Sequence, residues 1–223
     1  MSKSATDEAY DAIHEMISTR KISSGQQIVE GTIAQMLGMS RTPVREAIRR
    51  LQQDGLVEVK PNKGCFLKEI TFSEMADGYE IISLLSGMAC RHLTAKYNQL
   101  SQEDIKTARS ILDNMKSCCQ TQYKREWVEL DIRFHKLLIE MTGISQLITM
   151  YDHLSLWVNQ VLWLVTPLLV DIVESTRDHE KLLELIRAGD QEKSFAFACA
   201  HHMKTVQIIR NVAYLNGGLP AIH

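Results

Sequence analysis

The stretch Leu37-Gly38-Met39-Ser40-Arg41-Thr42-Pro43-Val44-Arg45-Glu46-Ala47-Ile48-Arg49-Arg50-Leu51 decides how the first third of the chain folds. Val44, Ala47, Ile48 and Leu51 recur at helical spacing and define one inward face. Arg41, Arg45 and Arg49 are four apart and stack as a stripe on the opposite side, beside Thr42. Gly38 tolerates positive φ and so ends the helix before it, and Ser40 is placed to cap the next one, from Arg41 to about Gln53. A charge stripe by itself reads as a solvated helix face, with Glu46 as an ion-pair partner. The elements on either side decide between that reading and a nucleic-acid role.

Upstream, a helix is expected over about Thr6–Arg20, with Ala9, Ile13, Met16 and Ile17 on one face, then a turn at Ile22–Gln26 and a short helix near Glu30–Leu37. Downstream, Leu56–Lys60 alternates apolar and polar, Pro61–Gly64 is a turn, and Cys65–Lys68 returns as a second strand. Helix, helix, turn, helix, hairpin is the order of a winged helix-turn-helix. In that fold the third helix enters the DNA major groove, where arginine bonds guanine or clamps phosphate. Ser40, Arg41, Thr42, Arg45 and Arg49 are then candidate DNA-binding residues, with Lys63 and Gly64 at the wing.

The remainder is helical throughout. Thr71–Glu74 looks like a capping box, Ser101 a cap, Gly143 a helix end, Thr166-Pro167 a break or restart, and Gly189-Asp190 an end followed by a cap. The expected organisation is mostly α: a winged helix-turn-helix of three helices and a β-hairpin over residues 1–70, an all-α helical bundle over residues 71–215, and a frayed tail over residues 216–223. Net charge is −2, so no global basic field announces nucleic acid. The longest apolar run, Leu154–Val173, is broken by Asn159, Gln160, Pro167 and Asp171, which argues against a membrane span. Its Trp157 and Trp163 read as core residues. Five cysteines without framework spacing, and no apolar leader, suggest reduced thiols in a cytoplasmic protein. Of Cys118 and Cys119, one is expected to be buried and one exposed.

Asp131 and His135 share a helical face with Phe134 and Leu138, so that face points inward. His179 precedes Leu182, Leu183 and Ile186, and His201 lies four residues after Phe197. Buried imidazoles and a carboxylate need partners. Spacing alone favours separate satisfaction of each. One shared divalent metal ion (Zn, Ni or Fe) would satisfy all four together. His202 is set aside, because it projects about 100° from His201.

The run Leu37–Ala47, with Leu51 and Gly55-Leu56-Val57, resembles the GntR family of bacterial regulators over residues from about 6 to 69. Residues 72–213 are similar to the helical effector domain, called FCD, of its FadR-type branch. The resemblance implies a DNA-binding transcription regulator, a repressor, acting as a homodimer on a palindromic operator. It also implies a small-molecule effector, an organic acid in many relatives. Metal-binding members carry an Asp-x-x-x-His pair and two later histidines, which Asp131, His135, His179 and His201 match. One departure stands out: an arginine that takes the effector's carboxylate usually follows a Tyr-Glu pair, and after Tyr79-Glu80 this chain has Ile82. A metal-dependent enzyme, or a regulator that senses the metal itself, remain as alternative readings. Against the enzyme, the sequence carries no nucleophile motif and no obvious general base beyond Asp131.

Overall fold

The computed structural model describes residues 3–121 and 123–215, and the expected tail over 216–223 lies outside the described residues. The chain divides between Thr71 and Phe72 into two units.

The first unit contains α1 (Ala5–Ser18), α2 (Glu30–Leu37) and α3 (Arg41–Gln53), with strands β1 (Gln27–Ile28), β2 (Val57–Lys60) and β3 (Gly64–Leu67). Ala9, Ile13 and Ile17 of α1 meet Val44, Ala47 and Leu51 of α3 in a core that is fully or almost fully buried. β2 and β3 form the expected hairpin, paired from Val57–Leu67 to Lys60–Gly64. The sheet has a third strand that the sequence reading treated as loop. Gln27 and Ile28 pair with Phe66 and Cys65, so the order is β1-β3-β2. Two residues are too few to show a period of two. Ser40 sits at the N-cap position of α3 with extended backbone, but its hydroxyl makes no capping hydrogen bond. Gly38 closes α2 in the left-handed conformation, as expected.

The second unit consists of α4 (Phe72–Ala95), α5 (Gln102–Thr121), α6 (Lys124–Glu140), α7 (Ser145–Leu169), α8 (Ile172–Ala188) and α9 (Gln191–Leu215), with one 3-10 turn at Tyr97–Gln99. Local signals set most of the boundaries. Ser101 accepts from the Asp104 amide, Gly143 and Gly189 take positive φ, and Asp171 and Asp190 cap α8 and α9. The expected break at Pro167 does not occur, because α7 continues to Leu169. Proline so close to a helix end removes one late backbone bond and does not stop the helix. Two glycines let α4 approach its neighbours closely. A Cβ on Gly78 would lie 2.6 Å from Val158 of α7, and one on Gly87 would lie 2.6 Å from Cys199 Sγ of α9. α4 and α9 run antiparallel, since Tyr79 meets His202 near one end and Thr94 bonds Ser194 near the other. The core between these helices includes Tyr79, Ile82, Leu93, Phe134, Leu138, Val158, Leu182 and Val206. No helix among the described residues is long and apolar enough to cross a membrane.

Candidate DNA-reading element and metal centre

Amphipathicity places the arginine stripe of α3 in solvent. With Val44, Ala47, Ile48 and Leu51 buried, Arg41, Thr42, Arg45 and Arg49 are exposed on the opposite side. Two of these arginines are ion-paired: Arg45 with Glu30 at 3.0 Å and Arg49 with Glu46 at 2.9 Å. Exposed pairs of this kind are weak, roughly 0.2–1 kcal/mol, so phosphate or a guanine edge can displace either acid. Arg50 is held otherwise, by Asp7 at 2.7 Å and over the Tyr10 ring at 4.5 Å, and belongs to the packing of α1 on α3. At the wing, Lys63 and Gly64 are exposed. Asn62 and Gly64 both adopt positive φ, and Gln27 Nε2 donates to the Lys63 carbonyl at 2.7 Å.

In the helical unit, α6, α8 and α9 bring Asp131, His135, His179 and His201 together. Each offers a ligand atom, all within 4.8 Å of one another, and all four residues are buried. Phe134, from the same face of α6, packs edge-on against His179 with ring centres 4.9 Å apart. The hydrogen bonds around the cluster set its chemistry. His179 Nδ1 lies 2.7 Å from the Ser175 carbonyl, which can only accept, so Nδ1 carries the proton. In the neutral ring, Nε2 then presents a lone pair, 3.0 Å from Asp131 Oδ1 and 3.0 Å from His135 Nε2. His201 Nδ1 donates to Asp178 Oδ2 at 3.2 Å, which likewise leaves its Nε2 free to ligate.

Nitrogen and oxygen atoms this close need a proton or a cation between them. A proton can serve one pair of atoms, whereas a cation serves all four. Ligand atoms about 2.0–2.2 Å from a metal sit about 3–3.5 Å apart; here two pairs lie at 3.0 Å, His135 Nε2 and Asp131 Oδ1 lie at 3.8 Å, and the whole set falls within 4.8 Å. The donor set therefore fits a divalent ion of the Zn, Ni or Fe kind. Burial pushes the His135 imidazole well below the ordinary histidine range, with His202 and His179 adding to it. Burial also lowers His201, so these imidazoles are neutral and able to ligate. Asp178 is held down to about 2, first by the hydrogen bond from His201 and then by that from Lys204. It orients His201 as an outer carboxylate does around a metal-bound imidazole.

Two positions beside the cluster are not evident from the sequence. Asp178 is next to His179 and one turn from Glu174, with nothing to mark it as the partner of a helix yet to come. His202, set aside for its angle, is only 2 % exposed, and its ring centre is 4.4 Å from that of His135. α9 packs against both α4 and α8, so adjacent residues flank one site from two sides: His201 toward Asp178 of α8, His202 edge-on to Tyr79 of α4 at 5.4 Å. Ile82, where the arginine was expected, is 1 % exposed in the core. Trp163 is half-buried, and the Trp157 side chain lies outside the described residues. Cys118 is buried, while Cys119 is half-buried and within 3.3 Å of the Thr176 hydroxyl. All five cysteines are free thiols.

A winged helix-turn-helix followed by an all-helical bundle is the build of a DNA-binding transcription regulator with a separate sensing unit. Residues 5–67 match the family model of bacterial regulatory proteins of the gntR family, and residues 77–205 match that of the FCD domain. An HTH-type transcriptional regulator of the TAR-I ttuE-ttuC' intergenic region of Agrobacterium vitis is 35% identical over 59% of this chain and 77% of its own length. The "Probable D-xylose utilization operon transcriptional repressor" of Paenarthrobacter nicotinovorans is 25% identical over 95% of this chain and 90% of its own. Among solved structures, E. coli McbR/YncC superposes with a TM-score of 0.82 at 18% identity, covering 94% of this chain and 99% of that one, which bears on the fold alone. The chain belongs to the GntR family of transcription regulators, with an FCD domain behind its DNA-reading unit. These relatives are transcription regulators, not enzymes.

Proposed function

We propose that this chain is a cytoplasmic repressor of the FadR-type branch, binding a palindromic operator as a homodimer and released by a small organic acid. Asp131, His135, His179 and His201 would hold one divalent ion, and the acid would bind beside it. The observation that carries this reading is the convergence of His179 Nε2 on Asp131 Oδ1 and His135 Nε2, each at 3.0 Å, inside a buried four-ligand cluster. When bound, the ion supplies a Lewis-acidic anchor for an effector oxygen. The chain's own residues do the rest. Ser175 and Asp178 fix the tautomers of His179 and His201, Phe134 and Trp127 pack around His179, and burial excludes water from the ligand face.

For DNA, Arg41, Arg45 and Arg49 would enter the major groove from behind Ser40 and Thr42, while Lys63 and Gly64 would meet the backbone at the wing. A single unit of this size reads few base pairs, so specificity calls for two copies. Ile81, Leu84 and Met88 form an exposed apolar stripe along α4, each at least half accessible, which suits a second copy. The test is operator binding by chelator-stripped protein, titrated with zinc and then with a panel of small hydroxy acids. Zinc alone leaving the operator bound, and one acid class releasing it, is the expected pattern. Release by zinc alone would make the metal itself the signal, and indifference to every acid would remove the effector from the account.

A further inference from the structure

Several buried features of the helical unit have no part in holding the metal or its anchored oxygen, and three of them bear on the effector. They are the apolar side chain of Ile82, the imidazole of His202, and the carboxamide of Gln160. We propose that the effector is a singly charged acid with an uncharged polar tail, and that His202 binds that tail. The proposal rests on the metal-and-effector reading above.

The charge balance comes first. Asp131 is the one carboxylate of the ligand set, and an imidazole must be neutral to ligate. With a divalent ion the set carries a net single positive charge, which one effector carboxylate neutralises. A second carboxylate would need a second cation. Among the described residues, no lysine or arginine is buried, and Ile82 is apolar. Lys204 is held outside the cluster by Glu174 and Asp178, and Arg210 by Asp77 and Glu80. A dianion bound here would bury one charge unpaired, which is strongly unfavourable.

The polar groups come second. His202 Nε2 is buried and has no hydrogen-bond partner, although its ring lies against His135 and Tyr79. An unpaired buried polar atom is costly, so native structures keep few of them without a use. A neutral imidazole has one donor and one acceptor nitrogen, so Nε2 is one or the other according to tautomer, which suits a hydroxyl or carboxamide. Gln160 of α7 is 0 % exposed and has both Oε1 and Nε2 unpartnered. α7 runs antiparallel to α6, tied at Lys124 to the Pro167 carbonyl and at Lys136 to Asp152. That pairing sets Gln160 within about a turn of Asp131 along the bundle. The unused groups at this level are thus uncharged ones able to both donate and accept.

The experiment compares two four-carbon 2-hydroxy acids with the same metal-binding head: malate, whose tail is a carboxylate, and its 4-amide malamate, whose tail is a carboxamide. The full chain is reconstituted with zinc, its zinc content is measured, and each acid is titrated calorimetrically. Malamate should bind at least about tenfold more tightly than malate. In His202→Leu the zinc should stay and malamate affinity should fall about tenfold, with His202→Gln recovering part of it and guarding against a fold defect in the leucine variant. Malate binding as tightly as malamate, or no binding of malamate at millimolar concentration, overturns the assigned effector class. Unchanged malamate affinity in both variants overturns the role of His202, and so does loss of zinc from them, which would make it a metal ligand. A wild-type chain that takes up no zinc overturns the metal reading itself, and the proposal with it.

Discussion

The hydrogen bond from His179 Nδ1 to the Ser175 carbonyl decides what the buried cluster can do, because it turns the Nε2 lone pair toward Asp131 and His135. Spacing could place Asp131 and His135 on one face of a helix, and the family resemblance could group them with His179 and His201. Neither could supply the tautomers, which depend on a carbonyl one turn back and on Asp178 of another helix. The omission of His202 has the same origin, since an angle measured about one helix axis says nothing about how many helices surround that axis. At the DNA face the residue pattern was legible, but the free-state ion pairs were only half so. Glu46 could be read as a partner, whereas Glu30 pairs with Arg45 across fifteen residues. Arg45→Ala should weaken operator binding by about 1–3 kcal/mol, the usual worth of a good base contact. Fluorescence anisotropy at one fixed salt concentration checks this, and equal affinity would take Arg45 off the interface.

Among elements, the caps explain why the helices start and stop where they do, and most were visible as single residues: Gly38, Ser101, Gly143, Gly189, Asp190; the Asp171 cap of α8 was not, because Asp171 reads only as a break in an apolar run. β1 was not visible, because two residues carry no pattern and exist as a strand only by pairing with β3. Pro167 was misread, because its cost depends on distance from a helix end that sequence alone does not locate. The closeness of α4 to α9 was also hidden. It rests on Gly87, where a Cβ would meet Cys199 at 2.6 Å and the Phe195 ring at 3.0 Å. Gly87→Ala should therefore destabilise the helical unit by about 1–3 kcal/mol, despite alanine's better helix propensity. Urea denaturation measures it, and a neutral or stabilising result would mean that α9 yields at no cost.

At the scale of the whole molecule, stability and assembly follow from the buried cluster and the exposed stripe. Burial holds His135, His201 and His202 below the ordinary histidine pKa, so between their folded values and about 6.5 the unfolded chain binds more protons. Their contribution is complete above about pH 6.5 and is lost as pH falls below it, by up to about 1.4 kcal/mol per pH unit for each imidazole. Bound metal adds stability to the folded form and is itself displaced by acid. The melting temperature should accordingly drop from about pH 7.5 to about pH 5.5, and drop further with a chelator. A flat profile would mean that these imidazoles are not held neutral in the fold. The stripe of Ile81, Leu84 and Met88 should be covered in solution, giving the mass of a dimer by light scattering at micromolar protein, and a strictly monomeric mass would contradict that assembly.

The role proposed for the helical unit depends on whether the four ligands hold a metal ion. Inductively coupled plasma mass spectrometry of the zinc-reconstituted, dialysed chain, beside Asp131→Ala and His179→Ala variants treated identically, measures this directly. One ion per chain in the wild type and its loss from both variants is the predicted result. Equal zinc in all three, or none in the wild type, would contradict it.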